Sequence, residues 1–445
     1  MKLRWLSTAL LLAGCGADAP PAEGHVVLHI TTDAPLPAAP GQLQDSEVAP
    51  LFNRLQIDVI PAGATAPCAG CSRQVAADQI SLAAASFSLL GTAPVQVRLR
   101  LFRSGGTSSG APRPRSTIEH TVIIDSIPAQ GGGHAHVVLW TDDVGTQTSA
   151  GAQPGPAPSH LVGSWPQATP SACALKAAAN EVCIPGGAQW LGDASMDLSG
   201  LPEHDGATER LVVFEPYFLD LHEVSVAEFR ASGLASALGG GGGGGASDNP
   251  KEKDTGISGC LYTSAPSETD ALPVNCLSWS KAKQYCEALG KRLPTESEYE
   301  RAASALGRSR FVWGTDLPQC EDAVFARDGF GDACTSAGLG PTAAGASARD
   351  RLLREGRVIT DLAGNVAEWM ADRWNRDTEA CWVPSPAVDP TCDLVSERDG
   401  DARAYRGGHF GSPALLLHSS VRSFVVNENF AVDAHLGFRC ARDGR

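Results

Sequence analysis

The number of cysteines is the feature that most constrains the fold of this chain. Thirteen cysteines occur in 445 residues, and the first, Cys15, lies in a segment typical of an export signal. Without Cys15, twelve cysteines remain, enough for six pairs. In an exported protein, an even set of cysteines indicates a framework of disulfide bonds. The spacing alone does not fix which cysteines pair.

Residues 1–14 have the layout of a lipoprotein signal peptide. The positively charged start MKLR precedes an apolar run that is too short to span a bilayer. Leu12 to Cys15 is similar to a bacterial lipobox, so we expect cleavage before Cys15 and acylation of its thiol. Residues 15–24 would be a tether. This predicts anchoring to the cell envelope through Cys15, at the outer membrane; the alternative is an ordinary signal peptide with an incidental cysteine.

The charge of the chain limits its partners. Thirty-five basic and fifty acidic residues give a formal net charge of −15. A negative surface of this size disfavours binding to nucleic acid and to anionic lipid headgroups. We therefore expect no nucleic-acid partner, and we expect the membrane to be contacted only through the anchor.

Residues 25–144 are predicted to form an all-β domain. Several β-branched runs are separated by turns rich in Gly, Pro and Asp, a pattern typical of a β-sandwich, with an immunoglobulin-like topology as the expected form. The runs are HVVLHITTD, LFNRLQIDVI, VQVRLRLFRS, HTVIIDSI and HAHVVLWTD. Cys68 and Cys71 lie in a loop between two of them, which indicates a local structural disulfide. Residues 145–172 are predicted to be a linker.

Residues 173–445 are predicted to form a second, mixed domain. VFEPYFLDLHEVSVAEF is typical of strand, turn, strand and helix, and LSWSKAKQYCEALG has a helical period that ends at Gly290. Thr295 and Glu298 form a Thr-x-x-Glu capping box that predicts the start of another helix.

These segments resemble the formylglycine-generating enzyme, or sulfatase-modifying factor, family. The matching motifs occur in the family's order over about 260 residues: IPGGAQWLGD, YFLDLHEVSVAEF, PVNCLSWSKAKQYCEALGKRLPTESEYERAA, VWG, DLAGNVAEW, YRGG and LGFRC. The resemblance implies an irregular α+β domain related to C-type lectins. It also implies a copper-dependent oxidase that converts a substrate cysteine to formylglycine.

The residues that would bind copper are missing. Working members of the family hold copper(I) with two cysteines shortly after the RGG motif, and soft sulfur ligands suit that ion. In this chain Arg406-Gly407-Gly408 is followed by no cysteine before Cys440. Ser412 and Leu417 stand near the expected thiol positions. We therefore expect neither copper nor the family's thiol oxidation, and we name no catalytic residue.

Histidines near the same loop leave an alternative open. His409 and His418 flank the gap, and Glu428 and His435 follow. Histidines and a carboxylate can bind iron or another transition metal with open positions. The competing interpretation is a set of ordinary loop residues. The candidate cleft thus comprises His409, Ser412 and His418.

The DLAGNVAEW motif predicts a calcium site. The resemblance implies ligands from the side chains of Asp361 and Glu368 and from the backbone carbonyls of Gly364 and Val366. Carboxylate and carbonyl oxygens are the ligands that calcium prefers. The alternative is a turn held by hydrogen bonds without a metal.

The resemblance also implies a disulfide between Cys286 and Cys440. Proximity in sequence suggests the other pairs of this domain: Cys173–Cys183, Cys260–Cys276, Cys320–Cys334 and Cys381–Cys392. A bond that closes most of the domain would restrict the unfolded chain.

Two functions are compatible with these features. The first is an envelope lipoprotein in which the family domain is a non-catalytic scaffold or binding module for a protein, peptide or glycan. The second is an oxygen-dependent oxidoreductase with altered metal chemistry, acting on a protein or peptide.

Three tryptophans bear on a possible glycan ligand. The sequence leaves two interpretations open, either part of a sugar site or buried core residues, for Trp369, Trp374 and Trp382.

Overall fold

The structure is a computed structural model, and it describes most of the chain after residue 24. The described ranges are 25–38, 48–81, 87–90, 94–108, 110–125, 133–196, 204–205, 208–235, 249–253, 259–329, 332–426 and 433–445. Cys15 with its signal and tether lies outside these residues, as does Glu428. The anchoring prediction therefore stays a prediction.

The chain divides into two compact units. The first comprises the described residues of 1–45, 50–104 and 110–165. The second comprises those of 46–49, 105–109 and 166–445.

Short strands dominate the chain between His25 and Trp165, with a single-turn helix α1 (Asp78–Ser81). The strands are β1 (His25–Thr32), β2 (Arg54–Pro61), β3 (Ser72–Ala76), β4 (Phe87–Leu90), β5 (Val95–Phe102), β6 (Thr107–Ser108), β7 (Ala111–Pro112), β8 (Thr117–Ile124), β9 (Gly133–Leu139), β10 (Gln147–Gly151) and β11 (Gln153–Pro154). The five predicted β runs all contain a strand.

The described residues of the first unit include a four-stranded and a five-stranded sheet. One has the order β11-β9-β1-β4 and the other β10-β8-β5-β2-β3. Alternate residues of the central strands are buried, as a sheet with one apolar face requires. Leu28 and Ile30 of β1, and Leu99 and Leu101 of β5, are examples. An all-β unit was predicted; its immunoglobulin-like topology stays a prediction.

The segment predicted to be a linker is partly sheet. β10 and β11 lie within residues 145–172 and add a strand to each sheet of the first unit. Gln147–Gly151 pairs with β8 in parallel register. These strands are short and contain Gly, Ser and Pro, so their pairing with β8 and β9, rather than local propensity, determines their structure.

The second unit combines short strands with three helices in its described part. The helices are α2 (Val226–Ala231), α3 (Trp279–Ala288) and α4 (Glu296–Ala303). The strands are β12 (Glu181–Ile184), β13 (Gly187–Leu191), β14 (His204–Asp205), β15 (Arg210–Phe214), β16 (Tyr217–Asp220), β17 (Arg351–Arg354), β18 (Arg357–Thr360), β19 (Ala367–Arg373), β20 (Ala387–Val388), β21 (Ala402–Arg406), β22 (Arg422–Val426), β23 (Leu436–Gly437) and β24 (Ala441–Asp443).

Short 3-10 turns occur in both units. They are Pro114–Ser116, Thr141–Asp143, Pro166–Ala168, Thr335–Ala337, Ala380–Trp382 and Ala414–Leu417.

Capping determines where the helices of the second unit begin. The Thr295 hydroxyl accepts a hydrogen bond from the Glu298 backbone N–H at 3.2 Å, and the Glu298 carboxylate accepts one from the Thr295 N–H at 2.8 Å. This is the predicted capping box. Ser225 and Glu228 form the same box at α2. Such caps satisfy backbone donors that the first helical turn leaves unpaired.

The strands of the second unit form several small sheets. Their orders are β12-β16-β24, β13-β15-β20, β14-β22-β21-β19-β23 and β17-β18. Between and beside these sheets lies the apolar core, where Trp369, Trp374 and Trp382 are 0–3% exposed. Since these rings are buried, the structure favours the core interpretation of the three tryptophans over a sugar site.

Six disulfides join the twelve cysteines of the described residues. The structure pairs Cys286 with Cys440, and the remaining bonds are the ones that sequence proximity suggested: Cys68–Cys71, Cys173–Cys183, Cys260–Cys276, Cys320–Cys334 and Cys381–Cys392. Among the helices of the described residues, none has the length and apolar character needed to cross a bilayer.

Candidate functional site

The two motifs singled out by sequence lie at the same end of one sheet. β19 follows the DLAGN turn, and β21 ends at the RGG motif. The two strands are antiparallel, with Glu368 opposite Arg406, so the turn and the loop after RGG are neighbours. The Gly408 N–H donates to the Ala363 carbonyl at 2.9 Å, and the Phe410 N–H donates to the Asn365 carbonyl at 2.8 Å.

Arg406 and the glycines after it determine the course of the loop. The Arg406 side chain is buried and binds the Glu300 carboxylate at 2.5 Å. It also donates to the carbonyls of residues 419–421, at the far end of the loop. Gly407 has a φ of 80°, and a Cβ there would lie 2.6 Å from the Tyr299 hydroxyl. A side chain is therefore excluded at this bend.

The two positions expected to carry thiols are closed to solvent. Ser412 is 1% exposed, and its hydroxyl accepts a hydrogen bond from the His409 backbone N–H at 3.0 Å. Leu417 is also 1% exposed and packs in a cluster that includes Phe311, Phe325 and Ala363. The apolar side chain of Leu417 is therefore packed inside the protein at one of these positions. Neither Ser412 nor Leu417 carries a soft sulfur ligand for a metal.

The loop histidines fall into two separate places. The ring centroids of His409 and His435 are 4.1 Å apart. The Gly411 N–H donates to His409 Nδ1 at 3.1 Å, and His435 Nδ1 lies 2.7 Å from Asp433. His418 instead lies against the ring of Phe311, 5.5 Å between centroids. Of the predicted cleft residues, Ser412 is thus bonded to the His409 backbone, whereas His418 has other partners; the cleft itself stays a prediction.

His418 bridges a serine and an aspartate that sequence reasoning did not connect with it. Its Nδ1 is 3.0 Å from the Ser420 hydroxyl, and its Nε2 is 3.3 Å from Asp193. Burial alone would raise the pKa of Asp193, but hydrogen bonds from His418 and Ser195 outweigh it and hold that pKa well below its usual value. Ser420 is only 2% exposed, so a substrate cannot approach its hydroxyl in this arrangement.

The DLAGN turn is held by a carboxylate that the motif does not contain. Asp350 is fully buried, and its two oxygens accept hydrogen bonds of 2.9–3.1 Å from the backbone N–H groups of Leu362, Ala363 and Gly364. Asp350 lies in a polar stretch with no motif of its own, so sequence offered no signal for this role.

Glu223, from the LHEVS segment, holds the second half of the turn. One oxygen accepts from the Val366 N–H at 3.0 Å, and the other accepts from the Asn365 side-chain amide at 2.6 Å. Glu223 is 2% exposed. Burial, and after it the charges of Asp361 and Glu368, raise the pKa of Glu223 well above its ordinary value.

The two predicted side-chain ligands for calcium have partners within the protein. Both oxygens of Glu368 accept from Arg439 Nε at 2.8–2.9 Å, and Nη2 adds a bond of 2.7 Å. Asp361 accepts from the Gly345 N–H at 2.7 Å and from the Ser347 hydroxyl at 3.4 Å. Hydrogen bonds therefore hold the turn in this structure, and Glu368 has a cationic partner.

The cluster nevertheless contains more acids than bases. Glu223, Asp350 and Glu368 each lie near the charge of Asp361, and among the described residues the ion pair of this group is that of Glu368 with Arg439. All five side chains are at most 2% exposed. Burial, followed by the charge of Asp361, raises the pKa of Asp350 to about 7. Such a surplus of buried negative charge is balanced either by protonation or by a bound cation.

Comparison with known proteins agrees with this arrangement. Residues 166–444 match the sulfatase-modifying factor enzyme 1-like domain, the class to which this fold and its motifs point. The chain belongs to that family. It is 30% identical over 297 residues to the formylglycine-generating enzyme of Thermomonospora curvata, which covers 59% of this chain and 93% of that protein.

Other proteins are similar to parts of this chain. The hercynine oxygenase of Mycolicibacterium smegmatis is 31% identical over 166 residues, but these are 34% of this chain and only 33% of that protein. The structure of PvdO from Pseudomonas aeruginosa is similar over 59% of this chain and 94% of that chain, with 21% identity and a TM-score of 0.43.

Proposed function

We propose that this chain is a non-catalytic member of its family, a scaffold or binding module of the cell envelope. The observation that carries the proposal is the burial of Leu417 and Ser412 at the positions expected to hold thiols. A protein that bound copper(I) as working members do would need two thiolates there.

The disulfides support the same conclusion. Twelve of the thirteen cysteines are paired in the described residues, and the remaining one, Cys15, lies in the lipobox-like segment. A paired sulfur cannot act as a thiolate ligand. No cysteine of the described part is therefore left to supply the site from elsewhere in the fold.

Anchoring at the outer membrane through an acylated Cys15 completes the proposal. It rests on the sequence of residues 1–15. A scaffold held at a membrane has a stable position from which to bind a protein, peptide or glycan. The ligand class follows from the family's substrate, a peptide segment, and from the loops at the sheet end where the two motifs meet.

We further propose that the turn binds calcium. The support is the surplus of carboxylates around Arg439. Glu368 is bonded to Arg439, whereas the Asp361 carboxylate accepts from two neutral donors of the described residues, the Gly345 N–H and the Ser347 hydroxyl. Calcium would supply no chemistry; it would balance charge and stiffen the turn.

An activity assay tests the main proposal. The purified chain is loaded with copper(I) under reducing conditions and given a cysteine-containing peptide in aerated buffer. We expect no oxygen uptake above that of the buffer and no aldehyde in the peptide. A working formylglycine-generating enzyme is the positive control. Copper-dependent formation of aldehyde by this chain would overturn the proposal.

The alternative function is an oxygen-dependent oxidoreductase with another metal. The contact between His409 and His435, with Asp433 beside it, favours it, and the similarity to a hercynine oxygenase is compatible with it. It predicts stoichiometric iron or copper in the purified chain. His409→Ala would then remove both metal and oxygen uptake; an unchanged metal content in that variant would exclude this site.

A further inference from the structure

One arginine of the second unit is buried without a counter-charge. Arg327 is 8% exposed, and its Nε is closed to solvent and has no hydrogen-bond partner. Burial lowers the pKa of Arg327, and no carboxylate of the described residues counters this effect. Because an arginine keeps its proton in proteins, a positive charge is left in the structure without a partner.

The other buried arginines of this unit show what Arg327 lacks. Arg406, Arg422 and Arg439 each bind a glutamate carboxylate at 2.5–2.8 Å. Buried charges in proteins are normally paired, and an unpaired one lowers the stability of the fold. Such a departure from the usual pairing is typical of a binding site, where stability is given up for function.

The segment that ends at Arg327 lies between the two motifs of the candidate site. The Val324 carbonyl accepts a hydrogen bond from the Asn365 N–H of the DLAGN turn at 2.9 Å. The Arg327 N–H donates to the Phe410 carbonyl, in the loop after RGG, at 2.7 Å. The backbone of Arg327 is therefore fixed at the sheet end where the proposed function places the ligand.

A glycine leaves space beside the guanidinium. A Cβ at Gly338 would lie 3.9 Å from Arg327 Nη1. Apart from the chain neighbours of Gly338, no other atom of the described residues lies within 4 Å of that point. Gly338 has a φ of 121°, a conformation that favours glycine. A ligand group that approaches over Gly338 would therefore meet the donors of Arg327 before it met another side chain.

We propose that Arg327 binds a carboxylate of a peptide ligand, either an acidic side chain or a C-terminus. The inference rests on the proposed function, a binding module, and deepens it by naming the chemistry of the ligand. A guanidinium presents parallel N–H donors that match the two oxygens of a carboxylate. The net charge of −15 repels polyanions more than it repels a single carboxylate. An incoming carboxylate would supply the counter-charge that Arg327 lacks.

Replacement of Arg327 by an apolar side chain tests whether its charge is unpaired. Arg327→Met keeps a long, flexible side chain and removes the charge, so the urea midpoint of unfolding should rise. Arg230→Met is the matched control, because Arg230 pairs with Asp270 at 2.8 Å; its midpoint should not rise. An unchanged or lower midpoint for Arg327→Met would show that the charge has a partner within the protein and would overturn the proposal.

Small carboxylates test the binding itself. N-acetylglutamate α-amide carries only a side-chain carboxylate, and N-acetylglycine carries only a terminal one; the corresponding uncharged amides are the ligand controls. At a probe concentration well above its dissociation constant, the melting temperature of the full chain should rise by at least about 2 °C relative to the matched amide. Arg327→Gln should abolish this difference, and Arg230→Gln should retain it.

The pattern of responses identifies the source of the carboxylate. A response to the glutamate probe supports an acidic side chain, and a response to N-acetylglycine supports a C-terminus. No difference from the amides up to about 50 mM probe would overturn the proposal, as would an equal response in Arg327→Gln. Neither measurement involves copper. Failure of the probes would therefore overturn this inference alone, whereas copper-dependent aldehyde formation would overturn the proposed function.

Discussion

The DLAGN turn and the loop after RGG lie at the same end of one sheet, yet they are built differently. The turn is held by buried charged groups, each with polar partners: Glu223, Asp350 and the Glu368–Arg439 pair. The loop has Ser412 and Leu417 near the positions where thiols were expected, and Leu417 packs in an apolar cluster. The contrast teaches that a turn held by buried polar groups and a loop packed by an apolar side chain can lie next to each other at one end of a sheet.

Removal of Arg439 tests the polar side of this contrast and should have the largest effect. Arg439→Gln leaves Glu368 buried without its cation, and breaking a buried pair in this way costs about 3–5 kcal/mol. Urea denaturation of the oxidised protein gives the free energy of unfolding. Lys283→Gln is the control, since Lys283 pairs with Glu287 on an exposed helix face; it should change stability by less than about 1 kcal/mol. Similar losses in both variants would contradict a structural role for the cluster.

Truncation of Leu417 tests the apolar side. Leu417→Ala should lower the free energy of unfolding by about 2–4 kcal/mol, because it leaves a cavity in a closed cluster. Leu415→Ala is the matched control in the same turn, where the side chain is 47% exposed. If Leu417→Ala costs no more than the control, the loop is not packed and the position is open to a ligand.

The pH dependence of stability shows whether the buried carboxylates of the turn are neutralised by protonation or by a bound cation. Burial raises the pKa of both Asp350 and Asp372 to about 7, with charges from Asp361 and Glu296 respectively as the next cause. A raised pKa means that the folded state holds its proton more tightly than the unfolded state. Stability should therefore rise as pH falls from 8 to about 5, by up to about 1.4 kcal/mol per pH unit for each such group.

Two comparisons sharpen this measurement. Asp350→Asn removes one group with a raised pKa. The melting temperature of this variant should therefore change less than that of the parent across the same pH range. Addition of calcium to the chelated parent should have the same effect if the ion binds the ionised turn. If neither the pH profile of stability nor the melting temperature changes on addition of calcium or of chelator, the calcium proposal is excluded.

Of the residues tested by substitution, His409 should contribute least to the free energy of unfolding. His409→Ala removes a hydrogen bond from the Gly411 N–H and a ring contact with His435. Since neighbouring backbone bonds remain, we expect a loss of about 0.5–1.5 kcal/mol in urea denaturation. If His409→Ala lowers the free energy of unfolding as much as Arg439→Gln does, a polar side chain of the loop is as important to the fold as the buried charges of the turn. That result would contradict the difference drawn between turn and loop.

Sequence predicted the second unit well because its motifs are local and occur in a characteristic order. The helix start at Thr295 depends on residues three positions apart, which can be read directly from the sequence. The turn and the RGG loop were singled out for the same reason. Their proximity in space follows from the β19–β21 pairing.

What sequence missed depends on contacts between distant residues. Asp350 binds a turn more than ten positions away, and Glu368 meets Arg439 across 71 positions. His29 and His134 meet across 105 positions only because β1 and β9 are neighbours. The pattern of one strand does not specify which strand lies beside it, so such contacts have no local signal. The strands within residues 145–172 were missed on the same grounds.

The order of strands β12-β16-β24 has a consequence for how the chain folds during synthesis. β16 (Tyr217–Asp220) has β12 on one side, close in sequence, but on the other side β24 (Ala441–Asp443). Cys440, just before β24, is bonded to Cys286. Because a chain emerges from its N-terminal side, this sheet stays open until more than two hundred further residues have followed β16. Contacts of such long range slow folding, so the second unit should remain incompletely folded, with β16 open along one edge, until the last residues of the chain have been made.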